Sequence, residues 1–181
     1  MRRAVHLAVL ALALTAGIAQ AGPVGIGIGA YGGVSFPILQ DDVSQGPVYG
    51  VRVPLKVVPM ITVEPYYLTS HLGDGEQTIA GVKYRRDGFD HTGFGVNALL
   101  GSALGLGLGF HPYAGIGSHK LERAGTPEIK ETAYNFGLGM GINAAAKISV
   151  QLRGELNMVV TGDTSRKFAN ATVGLTYSLQ P

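Results

Sequence analysis

Apolar and polar residues alternate along most of this chain. From Phe168 to Leu179 every second residue is apolar (Ala169, Ala171, Val173, Leu175, Tyr177, Leu179), and Asn170, Thr172, Gly174, Thr176 and Ser178 lie between them. Successive side chains of a strand leave on opposite faces, so the segment has one greasy face and one polar face. The same period predicts seven earlier strands. Val24–Val34 sets Val24, Ile26, Ile28 and Ala30 against Gly25, Gly27, Gly29 and Tyr31. Val48–Val57 sets Tyr49, Val51, Val53, Leu55 and Val57 against Arg52 and Lys56. Ile61–Ser70 sets Ile61, Val63 and Tyr67 against Thr62, Glu64 and Tyr66; Phe89–Leu100 sets Phe94, Val96, Ala98 and Leu100 against His91, Gly93, Gly95 and Asn97. Strands follow at Leu106–Leu121, Ala133–Asn143 and Ile148–Val160, the last with Gln151, Arg153, Glu155 and Asn157 on its polar face. The total is eight, each near the ~9–11 residues that a tilted membrane-crossing strand needs.

The connections alternate in length. Those after strands two, four and six are short, at Pro59-Met60, Gly101–Gly105 and Ala144–Lys147. Those after the odd strands are longer and more polar: Ser35–Pro47, His71–Gly88, Glu122–Glu131 and Thr161–Lys167. Outer-membrane barrels pair short periplasmic turns with longer external loops. The expected fold is therefore all-β, an eight-stranded antiparallel up-and-down transmembrane barrel.

The N-terminus reads as an address. Arg2 and Arg3 precede an apolar run from Ala4 to Ala16, and Ala19-Gln20-Ala21 is an A-x-A cleavage signal. Residues 1–21 are expected to be a signal peptide cleaved after Ala21, and 22–181 the barrel domain. Removing Arg2 and Arg3 from the 14 Lys and Arg leaves 12, matching the 12 Asp and Glu. A neutral mature chain has no strong pull toward nucleic acid. There is no cysteine, so an exported protein must hold together without disulfides. A closed barrel in lipid can do so, because no water competes for its backbone hydrogen bonds.

Gly27-Ile28-Gly29-Ala30-Tyr31-Gly32 spells G-x-G-x-x-G. It lies inside an alternating strand, without the strand–turn–helix context that a dinucleotide site needs. The inward glycines have a simpler use: eight strands leave an interior that side chains just fill. They make room for a polar lumen cluster of Arg52, Lys56, Glu64, His111, Tyr113, Arg153 and Glu155. Charges in so narrow a space must pair. His91, His111 and His119 share the inward parity, with Asp90 and Asn97 nearby in sequence. Ser70, Ser102 and Ser118 have no His at informative spacing, and no zinc motif occurs. No catalytic, metal or cofactor residues are assigned. Tyr49, Tyr66, Tyr67, Phe89, Phe110, Tyr134 and Tyr177 are candidates for interfacial girdles.

The run Tyr134–Asn143, a short turn, and Ile148–Leu156 resemble the paired strands near the C-terminus of OmpA-like and OmpX-like eight-stranded outer-membrane proteins. The Arg153-x-Glu155 of strand seven resembles that family's inward charged pair. The closing strand resembles the signal read by the barrel assembly machinery, with Leu179 in place of the terminal aromatic. The resemblance implies a monomer in the bacterial outer membrane, with lipid and that machinery as partners and no nucleic acid.

The expected role is structural, or interaction through external loops, above all His71–Gly88 with Asp74, Glu76, Lys83, Arg85, Arg86 and Asp87. Loops carry function when a scaffold is rigid. The alternatives are a narrow channel or small hydrophobic-molecule transporter, a lipid-acting barrel enzyme, and a soluble lipocalin-like barrel with its apolar face inward.

Overall fold

The computed structural model describes residues 25–38, 40, 42–58, 60–101, 109–162 and 164–179. The expected signal peptide, Val24 of the expected first strand, the expected turn residues Pro59 and 102–105, and residues 106–108 of the expected fifth strand lie outside them. Long strands dominate: β1 (Gly25–Ile38), β3 (Gly46–Arg52) continued by β4 (Leu55–Val58), β5 (Ile61–Ile79), β7 (Phe89–Leu100), β8 (Gly109–Glu122), β9 (Ile129–Ala145), β10 (Ile148–Thr161) and β11 (Thr164–Ser178). Two short strands, β2 (Val43–Ser44) and β6 (Val82–Arg86), pair only with β5.

Every neighbouring pair is antiparallel, and β11 pairs with β1 from Gly27↔Ser178 to Ile38↔Lys167, so the sheet closes on itself. β3 and β4 form one stave interrupted at Val53-Pro54, where proline has no N–H to donate. The stave stays tied: the Gly27 N–H donates to Pro54 O at 3.0 Å, and the Val53 N–H to Pro65 O at 2.9 Å. Closure thus uses eight staves and leaves no open edge around the ring.

The pairings fix the stagger. Ser35 lies beside Asn170, then Glu155, Gly137, Tyr113, Leu99, Thr62, Lys56 and finally Gly25. One circuit returns to β1 ten residues from its start (35 − 25 = 10). Such a stagger demands strongly tilted strands, typically ~35–45° from the barrel axis.

The two faces follow the expected parity. Phe94 is 57% exposed and Leu175 58%, while Glu64 and Gln151 are at 0%. Apolar groups therefore face out and charged groups face in, the inverse of a lipocalin-like interior. Tyr49, Tyr67, Phe110, Tyr134 and Tyr177 stand on the outer surface. Tyr66 and Phe89 do not join a girdle, because their parity turns them into the buried lumen.

The long connections are shorter than expected, because the strands run on past the apolar belt. β5 and β6 build a ribbon out of the expected His71–Gly88 loop, with pairs from Gly75↔Arg86 to Ile79↔Val82. Ala80 and Gly81 turn it with φ of 50° and 83°, the two left-handed positions of a tight hairpin. Pairing from Val159↔Arg166 to Thr161↔Thr164 likewise leaves only residues 162–163 of the expected Thr161–Lys167 loop. Leu121↔Ile129 pairing trims Glu122–Glu131 to residues 123–128.

Candidate functional site

The lumen is built from the inward residues of all eight staves. Glycine supplies the room: a Cβ on Gly139 would collide with the His111 ring, and one on Gly137 with the Tyr113 ring. At the centre, Arg153 of β10 donates from Nη1 to Glu64 Oε1 at 2.5 Å and from Nη2 to Glu64 Oε2 at 2.7 Å. Arg153 Nη2 also donates to Gln151 Oε1 at 2.9 Å, and Arg52 Nε lies 4.0 Å from Glu64 Oε2. The guanidiniums stack on rings, Arg52 5.2 Å from the Tyr31 centroid and Arg153 5.0 Å from that of Tyr113. Such bidentate and stacked geometry is what arginine, and not lysine, provides.

Glu155 does not pair with Arg153, although the two are neighbours on the inward face. Its carboxylate accepts from Tyr113 Oη at 3.0 Å, Asn157 Nδ2 at 2.7 Å and Asn170 Nδ2 at 3.3 Å. The charged pair expected within strand seven is replaced by one across the barrel, since the strand tilt brings β5 opposite β10. Lys56 stands half-buried toward the short-turn end and joins no hydrogen bond or ion pair among the described residues. His111 is buried against Gly139, and its Nε2 has no hydrogen-bond partner.

From Glu64 a hydrogen-bonded chain climbs toward the long-loop end. Asn97 Nδ2 donates to Glu64 Oε1 at 3.5 Å, Asn135 Nδ2 to Asn97 Oδ1 at 2.8 Å, and Tyr66 Oη to Asn135 Oδ1 at 3.2 Å. Tyr66 Oη meets His119 Nε2 at 3.1 Å, and His119 Nδ1 meets His91 Nε2 at 2.8 Å. Inward parity marks each of these side chains in the sequence, but not their order of contact. The void left among Tyr31, Arg52, Glu64, Tyr66, Tyr113 and Arg153 measures about 10 Å³, room for about one water.

An apolar plug covers the chain. Val43, Leu72, Phe89, Leu121, Ala133, Val159 and Phe168 form one buried cluster. Phe168 packs edge-on against Phe89 at 5.8 Å and tilts over His91 at 5.1 Å. Ser70 lies beside His91 in the register, yet its buried hydroxyl makes no hydrogen bond. Asp90 points outward and meets His71 Nδ1 at 2.6 Å.

A clip closes the plug. Arg166 Nη2 donates to Asp42 Oδ2 at 3.1 Å, Arg123 Nη2 donates to the same oxygen at 2.9 Å, and both guanidiniums lie over the Phe89 ring. Burial alone would raise the Asp42 carboxyl, but the hydrogen bonds from Arg166 and Arg123 outweigh it and hold the group below its ordinary value.

Above the clip stands the ribbon. Arg85 donates from Nη2 to Asp74 Oδ2 at 2.6 Å and from Nε to the same oxygen at 3.1 Å. With the Gly88 N–H at 2.9 Å, this holds Asp74 below its ordinary value. Lys83 pairs with Glu76 at 3.1 Å, and Arg86 Nε donates to Gln77 Oε1 at 3.2 Å. Five of the six residues singled out for this segment thus lie in cross-strand contacts, and Asp87 sits at the junction to β7.

No protein-family model matches the chain, and no curated protein does. Solved structures do. The neisserial surface protein A structure matches with a TM-score of 0.58 at 9% identity, covering 85% of this chain and 96% of that one. The N-terminal β-barrel domain of Pseudomonas aeruginosa OprF matches with a TM-score of 0.53 at 13% identity, covering 84% and 97%. The Yersinia pestis outer membrane protein Ail in a phospholipid bilayer nanodisc matches with a TM-score of 0.52 at 11% identity, covering 86% and 99%. This chain therefore has the fold of the OmpA-like and OmpX-like eight-stranded transmembrane β-barrels.

Proposed function

We propose that this chain is a monomeric, non-enzymatic barrel of the bacterial outer membrane, exported by residues 1–21 and delivered by the barrel assembly machinery. Its barrel is a rigid post, and its long-loop end does the work at the cell surface. The observation that carries this reading is at the centre of the lumen: Arg153 is held on Glu64 and the gap among the side chains around that pair is about 10 Å³, which supports a filled post over a conduit. The ribbon supports the second half, as the longest projection and one whose charges are fixed by ion pairs. One of the similar structures is named neisserial surface protein A, and another, Ail, the attachment invasion locus protein.

Boiled and unboiled samples of the membrane-extracted protein, run side by side in SDS, test the reading. A heat-dependent shift in mobility with the protein in the outer-membrane fraction is expected, and bilayers containing it should show no steady ohmic conductance. A soluble periplasmic protein without a shift would sink the membrane assignment; steady conductance would sink the filled post and revive the narrow channel.

A further inference from the structure

Beneath the plug two imidazoles end a hydrogen-bonded chain, and the chain has a direction. Glu64, gripped by Arg153, is a carboxylate and can only accept. Asn97 Nδ2 gives to it, Asn135 Nδ2 gives to Asn97 Oδ1, and the Tyr66 hydroxyl gives its proton to Asn135 Oδ1. Tyr66 has no second proton, so at the 3.1 Å contact His119 Nε2 is the donor. With neutral rings His119 Nδ1 is then bare, and His91 Nε2 donates to it at 2.8 Å. A further proton on His119 Nδ1 would meet the His91 N–H head-on. His91 can turn the link around by carrying its proton on Nδ1, but the pair then holds a full positive charge.

The seat of the pair is dry. His91 is 1% exposed and His119 0%. A Cβ on Gly93 would lie 2.7 Å from the His119 ring, so glycine makes the seat. Phe168 lies over His91 at 5.1 Å, within the plug that Leu72, Phe89, Leu121 and Ala133 share.

Among the described residues no carboxylate contacts either ring. β5 supplies Tyr66 and Ser70, and β10 supplies Val159 and Asn157. β9 supplies Asn135; its Glu131, in register with His119, is exposed. β11 supplies Phe168 and, at its start, Arg166. Across Phe89, Asp42 is held by Arg123 and Arg166. Deeper in the lumen Glu64 is held by Arg153, and Glu155 by Tyr113, Asn157 and Asn170. A charge on the pair would therefore stand unpaired, which a dry interior does not tolerate.

We propose that the His91–His119 pair is an acid-sensitive latch of the plug: when the pair takes up a proton, water enters to solvate the charge and Phe168 comes free. A group that takes its proton in the loosened state favours that state as pH falls. The gain is up to about tenfold per pH unit below the ordinary imidazole value of ~6.5. The Asp42 clip responds only near the ordinary carboxyl value of ~3.9 and below, so the base of the plug loosens before its clip does.

The test is nitrogen-15 NMR of the imidazoles together with the ring-flip rate of Phe168, on the full chain folded in lipid nanodiscs, from about pH 7.5 to about pH 5. At the upper end both rings should carry their proton on Nε2. As the pair takes up a proton, Phe168 should flip at least about tenfold faster. The double variant His91→Gln with His119→Gln should lose that response, and His71→Gln, on the outer wall, should keep it. Each single variant leaves one ring and should cut the response by about half or more; the single variants decide the matter if the double variant shows no heat-dependent gel shift. A pair that takes no proton by about pH 5, proton uptake with Phe168 unchanged, or a response that survives the glutamine variants would overturn the proposal. None of these outcomes touches the outer-membrane reading, which stands or falls on the gel shift and conductance of the parent protein.

Discussion

Arg153 and Glu64 are 89 positions apart in the chain and meet through two charge-assisted hydrogen bonds across the lumen. Removing one partner strands the other in a space with almost no water. Glu64→Leu should therefore cost about 3–5 kcal/mol, the usual penalty for breaking a buried pair. The double variant Glu64→Leu with Arg153→Met should recover much of that loss. Urea unfolding from detergent micelles measures both, and additive losses would show that the pair is not coupled.

Asp42 should make the long-loop end acid-labile. Its folded-state value is depressed, so its contribution is fully present above the ordinary carboxyl value of ~3.9 and fades as pH falls through the depressed one. Hydrogen exchange at residues 42–45 should accelerate on acidification below about pH 4. In Asp42→Asn the same residues should exchange fast already at neutral pH, with little further change in acid. Unchanged exchange in that variant would mean that the clip does not hold the plug.

Ala80 has φ of 50°, a conformation that costs a residue with a Cβ roughly 1–2 kcal/mol. Ala80→Gly should stabilise the ribbon by about 1 kcal/mol or less, because glycine also loses more entropy on folding. Slower amide exchange from Gly75 to Arg86, with the rest of the barrel unaltered, is the expected signature. Faster exchange there would show that the turn is not strained.

Gly139 is the contact surface for the His111 ring. Gly139→Val should overpack the lumen and cost about 1–3 kcal/mol. His111→Gly in the same chain should relieve most of it. If the double variant is no better than the single one, the collision is not the cause.

Much of this molecule was legible in the sequence, and the rest failed for nameable reasons. The alternation of Phe94, Val96, Ala98 and Leu100 with His91, Gly93, Gly95 and Asn97 located β7 to the residue, because a lipid-facing wall must stay apolar at every second position. The ribbon was missed because Gly73, Gly75 and a dense run of charges read as loop. What keeps it extended is cross-strand pairing of Asp74 with Arg85 and Glu76 with Lys83, which no local pattern reports. The interruption at Val53-Pro54 was hidden by apolar parity running straight through it. Of the seven residues expected in the lumen cluster, Arg52, Glu64, His111, Tyr113 and Arg153 lie buried and Lys56 and Glu155 half-buried. Left out of that expectation are Gln151 and Asn97, which contact the cluster, and Asn135, which reaches it through Asn97, and Arg153 and Glu155 stand in it as a charged pair. Register and stagger decide that partner, and both belong to the closed sheet.

The pairing of β1 with β11 has a consequence for how the chain could be rewired. Gly27 and Ser178 are register neighbours, so the two ends of the barrel lie about one interstrand spacing, ~4.8 Å, apart on the same rim. The staves form a cycle in which no strand is intrinsically first. A short linker from Ser178 to Gly25, with a new opening cut at Ala146-Lys147 between β9 and β10, would keep every pairing and change only the order in which synthesis delivers them.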